Sequence, residues 1–234
     1  MNGIPARLAA ASGAFFVVAV LVGNAMYSSG SVEGTDGVGA LAEAQRDPSL
    51  VNTIGFALEI VGFAALLVFV GYLYRVLRGA EGTEESAATV ALGGCLVYLA
   101  IKVGSAAPVM VVSLRSDVLT PDLARTLVDL NDAAFVVSGL MFGLFCTAAA
   151  RSAISHRVLP RWLGWAGLVI GLLTVAAGTI GIVQVPSFNP LPFVAGLVWT
   201  FVVSILLTVR VRRPATEPAT PVLSPSRAGV AGAP

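Results

Sequence analysis

Six stretches of the chain stay apolar for about the length of a bilayer crossing, at positions 8–27, 53–74, 88–112, 133–150, 162–183 and 191–209. A spanning helix needs about 20 predominantly apolar residues, so the pattern predicts an all-α, polytopic transmembrane helix bundle with six spans. The breaks between them carry helix-end chemistry. Asp47 followed by Pro48 reads as an N-cap and first helical residue, which starts the second helix before it enters the membrane near Thr53. Tyr72 and Tyr74, then Arg75 and Arg78, read as the aromatic and basic residues of a membrane interface.

The segments between spans add detail. Positions 28–52 are Gly-rich and acidic and turn helical at 38–46, while 79–86 is a short polar connection. In the third span Gly104 and Pro108 follow Lys102; a proline removes a backbone N–H and can kink or break the helix there. Thr120 and Pro121 precede Leu123, Leu127 and Leu130 at helical spacing, with Asp122 and Arg125 between them. That pattern predicts a short amphipathic helix on the membrane surface or over the bundle, separate from a fourth span beginning at Asn131 and Asp132.

Glycines at Gly139 and Gly143, and at Gly167 and Gly171, form two GxxxG pairs that let helix backbones approach closely. The favoured reading is packing within the bundle; association of two copies through either face stays open. Thr200, Ser204 and Thr208 give the sixth span one hydroxyl-bearing face. Such hydroxyls usually bond carbonyls of their own helix.

Composition agrees with this pattern: 56% of residues are hydrophobic, 12% are charged, and mean hydropathy is +0.88. Soluble domains carry about twice that charge. Basic residues are almost all Arg, a composition that suggests a GC-rich bacterial genome. The net charge of +1 is uninformative, but its distribution is not. Alternate connections gather Arg7, Arg75, Arg78, Arg151, Arg157, Arg161, Arg210, Arg212, Arg213 and Arg227 on one side, against Arg46, Arg115 and Arg125 on the other. The positive-inside rule then places both termini in the cytoplasm of a bacterium, with the protein in its inner membrane. The membrane domain is expected at 1–212. From 213 to 234 the chain is rich in Pro, Ala, Ser and Thr without apolar period, and reads as a disordered cytoplasmic tail.

The first span also satisfies a small-residue cleavage rule at Gly23 and Ala25. Its apolar stretch, about 19 residues, exceeds the 7 to 15 of a signal core, so a retained helix is preferred over a cleaved one.

Two charges do not fit the apolar pattern. Lys102, the only lysine, lies within the third span, and Glu59 within the second. A charge at membrane depth costs about 2.5–3.5 kcal/mol on insertion scales and calls for a partner, a water-filled cavity or a function. Glu59 is expected about 10 Å and Lys102 about 15 Å below the outer boundary, at 1.5 Å per residue. Adjacent antiparallel helices bring such depths within reach, so an ion pair is expected. Asn24, Asn131 and Asp132 join the same polar layer, and the five residues form a candidate binding pocket opening outward. Two readings stay open: binding or transport of a small molecule, with Lys102 meeting an anionic group or exchanging protons with Glu59, and a scaffold or partner subunit in which the two charges are structural.

No catalytic set, metal-ligand set or cofactor motif is present. The one histidine, His156, sits in an Arg-rich connection, and Cys95 and Cys146 lie in spans without a CxxC spacing. Enzymatic activity is therefore the less favoured reading, left undecided. The basic connection at Arg151, His156 and Arg157 suits anionic lipid, not nucleic acid.

The segment Leu159-Pro160-Arg161-Trp162-Leu163-Gly164-Trp165, followed by Ala166-Gly167-Leu168, resembles a group of uncharacterised six-pass bacterial membrane proteins classed only as a domain of unknown function. Tyr72-Leu73-Tyr74-Arg75 is similar too. The resemblance implies the six-helix fold over most of 1–212 and carries no activity.

Overall fold

The structure, a computed structural model, describes residues 4–28, 50–82, 86–115, 117–183 and 189–211. The helix expected at 38–46, the Asp47–Pro48 start and the tail from 213 onward lie outside the described residues. Six helices follow in order: α1 (Ile4–Ser28), α2 (Leu50–Glu81), α3 (Ala87–Leu114), α4 (Pro121–Ser155), α5 (Arg161–Val183) and α6 (Leu191–Val211). All six are long and apolar enough to cross a membrane. Consecutive helices pack side by side and α6 closes against α1, so the six form a ring. Large apolar side chains such as Leu67, Val97, Val169, Leu172 and Ile205 point away from it. In a bilayer those faces meet lipid, which is as apolar as they are.

Aromatic rings fill the middle. Tyr98 lies 5.0 Å from Phe142 and 6.2 Å from Phe193, Phe63 joins it at 6.4 Å, and Phe16 extends the cluster at 6.2 Å from Phe63. Rings from α1, α2, α3, α4 and α6 therefore meet at one level.

Small residues set how closely the helices approach. A Cβ on Gly143 would lie 2.9 Å from the carbonyl oxygen of Gly171 and 2.8 Å from the backbone nitrogen of Val175, so α4 and α5 touch backbone to backbone. Gly94 does the same for α3 against α4, 3.2 Å from the Met141 carbonyl. Both glycine pairs read from the sequence thus have places inside the chain: Gly139 and Gly143 are buried on α4, Gly171 faces Gly143, and Gly167 lies under the Trp199 indole. Trp199 uses that space to donate from Nε1 to the Leu163 carbonyl at 2.9 Å. The buried face of α5 is a longer stripe than the pair suggested, running through Gly164, Gly167, Gly171, Thr174, Gly178 and Gly181.

Several expectations change. The amphipathic segment with Leu123, Leu127 and Leu130 is not a separate surface helix: it is the first three turns of α4, which runs unbroken for 35 residues. Thr120 caps it through Leu123 N at 3.4 Å, and Pro121 fills the first turn. Ala124 and Val112 are buried against each other where α3 and α4 continue side by side, with Leu127 packed on them, while Leu123 and Leu130 stay exposed. Pro108 does not end α3 either, since the helix continues to Leu114.

The 79–86 connection is tighter than its polarity implied. Helix α2 persists to Glu81 and stops at Gly82, whose φ of 74° suits glycine at a helix C-terminus. Glu81 is buried, and its Oε1 accepts from Ala88 N at 2.8 Å in the first turn of α3. There the carboxylate meets unpaired helix N–H groups and the positive end of the helix dipole.

On α6, Thr200 and Thr208 bond carbonyls of their own helix, as expected. Ser204 does not. Its hydroxyl donates to the Ala10 carbonyl and accepts from Ala14 N at 2.8 Å, so it sits within the hydrogen-bond ladder of α1.

Candidate functional site

At one end of the ring residues of α1, α2, α3 and α4 line a cavity of ≈ 290 Å³. Each contributes residues at helical spacing: Asn24 from α1; Phe56, Glu59, Ile60 and Phe63 from α2; Lys102, Ser105 and Ala106 from α3; Asn131, Asp132 and Phe135 from α4. Spacings of three and four place these residues on one face of each helix. The structure thus brings Glu59, Lys102, Asn24, Asn131 and Asp132 around one cavity. Asn24 and Asp132 are exposed and mark its mouth, while Glu59 and Lys102 are partly buried further in.

The approach of α1 to α2 shapes this wall. A Cβ on Gly23 would lie 2.7 Å from the Gly55 carbonyl and 3.3 Å from Glu59 N, so the backbones nearly touch beside the mouth. Any larger residue at 23 would separate Asn24 from the Glu59 side of the cavity.

The expected Glu59–Lys102 ion pair is absent among the described residues. Ion pairs among the described residues include Arg78 with Glu81, at 3.9 Å, and Arg125 with Asp129, at 3.3 Å. Lys102 Nζ instead lies 4.9 Å from the Phe135 ring centroid and 6.0 Å from that of Phe63. Such cation–π contacts contribute about 0.5–2 kcal/mol. They offset part of the burial cost of an ammonium group without donating its protons to an acceptor. Ser105 turns its hydroxyl to the Lys102 carbonyl, 3.0 Å away.

Phe63, Ser105 and Phe135 escaped the sequence reading. They follow the polar residues at intervals of three or four: Phe63 after Glu59, Ser105 after Lys102, Phe135 after Asn131 and Asp132. Extending each polar position along its helical face would have found them.

Beneath the cavity Tyr98, one turn from Lys102, is fully buried, and among the described residues its hydroxyl has no hydrogen-bond partner. Among the described residues no group of three or more His, Cys, Asp or Glu gathers as a metal site would require. Cys95 and Cys146 are free thiols buried in the core.

Six helices long and apolar enough to cross a bilayer, four of them lining one cavity, define a multi-pass membrane protein. The chain belongs to the family described as a domain of unknown function, DUF4386, which it matches over residues 10–210. The resemblance read at 159–168 is therefore borne out at the level of the family. No curated protein and no solved structure matches the chain.

Proposed function

We propose that the protein binds a small molecule in the cavity between α1 and α4, and that it does so as a receptor or carrier in a bacterial cytoplasmic membrane. One observation carries this reading: two opposite charges line the same cavity without an ion pair between them. A purely structural pair would be expected to close, because contact is what offsets the desolvation of both partners. Charges that stay apart beside a cavity keep their hydrogen-bonding capacity for an occupant.

The arginine distribution supports an orientation. Arg75, Arg78, Arg151, Arg157, Arg161 and Arg210 lie at the end of the ring opposite the cavity, and Arg115 and Arg125 at the cavity end. By the positive-inside rule both termini are cytoplasmic and the mouth faces outward.

Thermal unfolding of the purified protein against a broad set of small anions, cations and neutral metabolites tests the reading. At least one compound is expected to raise Tm in the wild type and to lose that effect in Lys102→Met. If no compound does so, the two charges belong to a scaffold, not to a binding site.

A further inference from the structure

We infer that the occupant of this cavity is a compact zwitterion with an apolar body, an amino-carboxylate of the neutral amino-acid or betaine class. The inference rests on the binding reading above and narrows its ligand. Glu59 and Lys102, the inner charges, are of opposite sign and sum to zero. An anion held by Lys102 alone would add uncompensated negative charge beside Glu59, and a cation held by Glu59 alone would add positive charge beside Lys102. Either leaves a net charge in a low-dielectric setting, where unbalanced charge is most costly. A net-neutral molecule carrying both signs gives each inner side chain a counter-ion and leaves the inner part of the site neutral, with Asp132 exposed at the mouth.

Hydrogen-bonding capacity points the same way. Among the described residues neither the Glu59 carboxylate nor the Lys102 ammonium has a hydrogen bond or an ion-pair contact within 4.0 Å; Lys102 lies over two phenyl faces and feels the Glu59 charge at longer range. The site therefore offers an acceptor and a donor lining one cavity. The exposed Asp132 adds negative charge at the mouth and suits an entering ammonium group.

Size and lining define the rest of the molecule. A cavity of ≈ 290 Å³ stands at the lower end of the range for small-molecule sites. Phe56, Ile60 and Ala106 add apolar surface to the same lining, beside the two charges. A short hydrocarbon or ring fits against it, whereas a second charged group would meet no partner there.

Matched analogues test the inference on the wild-type protein. L-Leucine, L-leucinamide, 4-methylpentanoate and 4-methylpentanamide share a carbon skeleton and present both charges, the cation, the anion or neither. Equivalent sets are built on alanine, proline and phenylalanine, and N,N,N-trimethylglycine is added as a betaine. In at least one set the zwitterion is expected to raise Tm by about 3–5 °C at ten times its Kd. Its single-charge analogues should need at least tenfold higher concentration for the same shift. Glu59→Gln should reduce zwitterion affinity to that of the anion, and Lys102→Met to that of the cation. The wild-type comparison decides the matter even where a variant does not fold.

An anion or cation that binds as well as its zwitterion overturns the inference and leaves a binding protein in place. Compounds of other classes that shift Tm through Lys102, with no zwitterion doing so, have the same meaning. No Lys102-dependent shift from any compound overturns both the inference and the binding reading.

Discussion

Ser204 is one hydroxyl serving two helices. By bonding Ala10 and Ala14 it ties α6 to α1 and closes the ring, whereas Thr208, four residues on, bonds only its own helix. Ser204→Ala should therefore cost about 1 kcal/mol, within the range measured for interhelical hydrogen bonds in membranes. Thr208→Ala should change stability by less than about 0.5 kcal/mol, as expected of a hydroxyl on its own carbonyl. Denaturation in mixed micelles compares the two. Glycines divide in the same way. Gly143→Ala pushes a methyl group into the α5 backbone and should cost about 1–3 kcal/mol. Gly93→Ala, where a Cβ would meet nothing within 4 Å, should gain about 0.5–1 kcal/mol by the same assay. The sequence shows which residues are small or hydroxylated, and not which backbone each one meets. For that reason Gly143 was legible as a contact residue, while the bond from Ser204 to α1 was not.

The two cavity charges also belong to this scale. They are separated but share one low-dielectric space, so their energies should still couple. A double-mutant cycle with Glu59→Gln and Lys102→Met should give an interaction of about 1–3 kcal/mol. Additive effects would mean that the charges do not influence each other.

Among the elements, α4 departs most from the sequence pattern. Asn131 and Asp132 looked like a helix start because polar residues that can cap interrupt the apolar run there. In the folded chain they are mid-helix residues at the mouth of the cavity. Their side chains reach that space only because the helix does not stop. Spin labels at the exposed positions Asp122 and Arg151 should be separated by about 40 Å along a continuous helix at 1.5 Å per residue. A folded-back surface segment would bring them much closer.

The C-terminus of α4 supplies a second case. Val158 N bonds Ala153 O at 3.1 Å and Arg157 N bonds Ile154 O at 3.4 Å, the two bonds of a Schellman motif, with Arg157 at a φ of 55° where glycine is usual. Arg157→Gly should relieve about 1 kcal/mol of backbone strain and raise Tm. Nothing in the local sequence marks that turn, because the residue type opposes it.

For the molecule as a whole, six spans and the grouping of polar residues at one end were readable from apolar run lengths and lone charges alone. Membrane insertion makes both signals strong, since each buried charge must be accommodated. The separation of Glu59 from Lys102 was not readable. Depth along two helices predicts proximity, but the rotation of each helix and the rings of Phe63 and Phe135 determine whether charges touch. The central claim is that these charges line a cavity reached from the outer side of the membrane. Native Cys95 and Cys146 are buried and should not react, so a Lys102→Cys variant in intact cells reports on the cavity alone. A small membrane-impermeant thiol reagent added outside is predicted to modify Lys102→Cys while leaving the wild type unlabelled. Failure to label a folded Lys102→Cys protein from outside, or labelling only from the cytoplasmic side, would contradict the account.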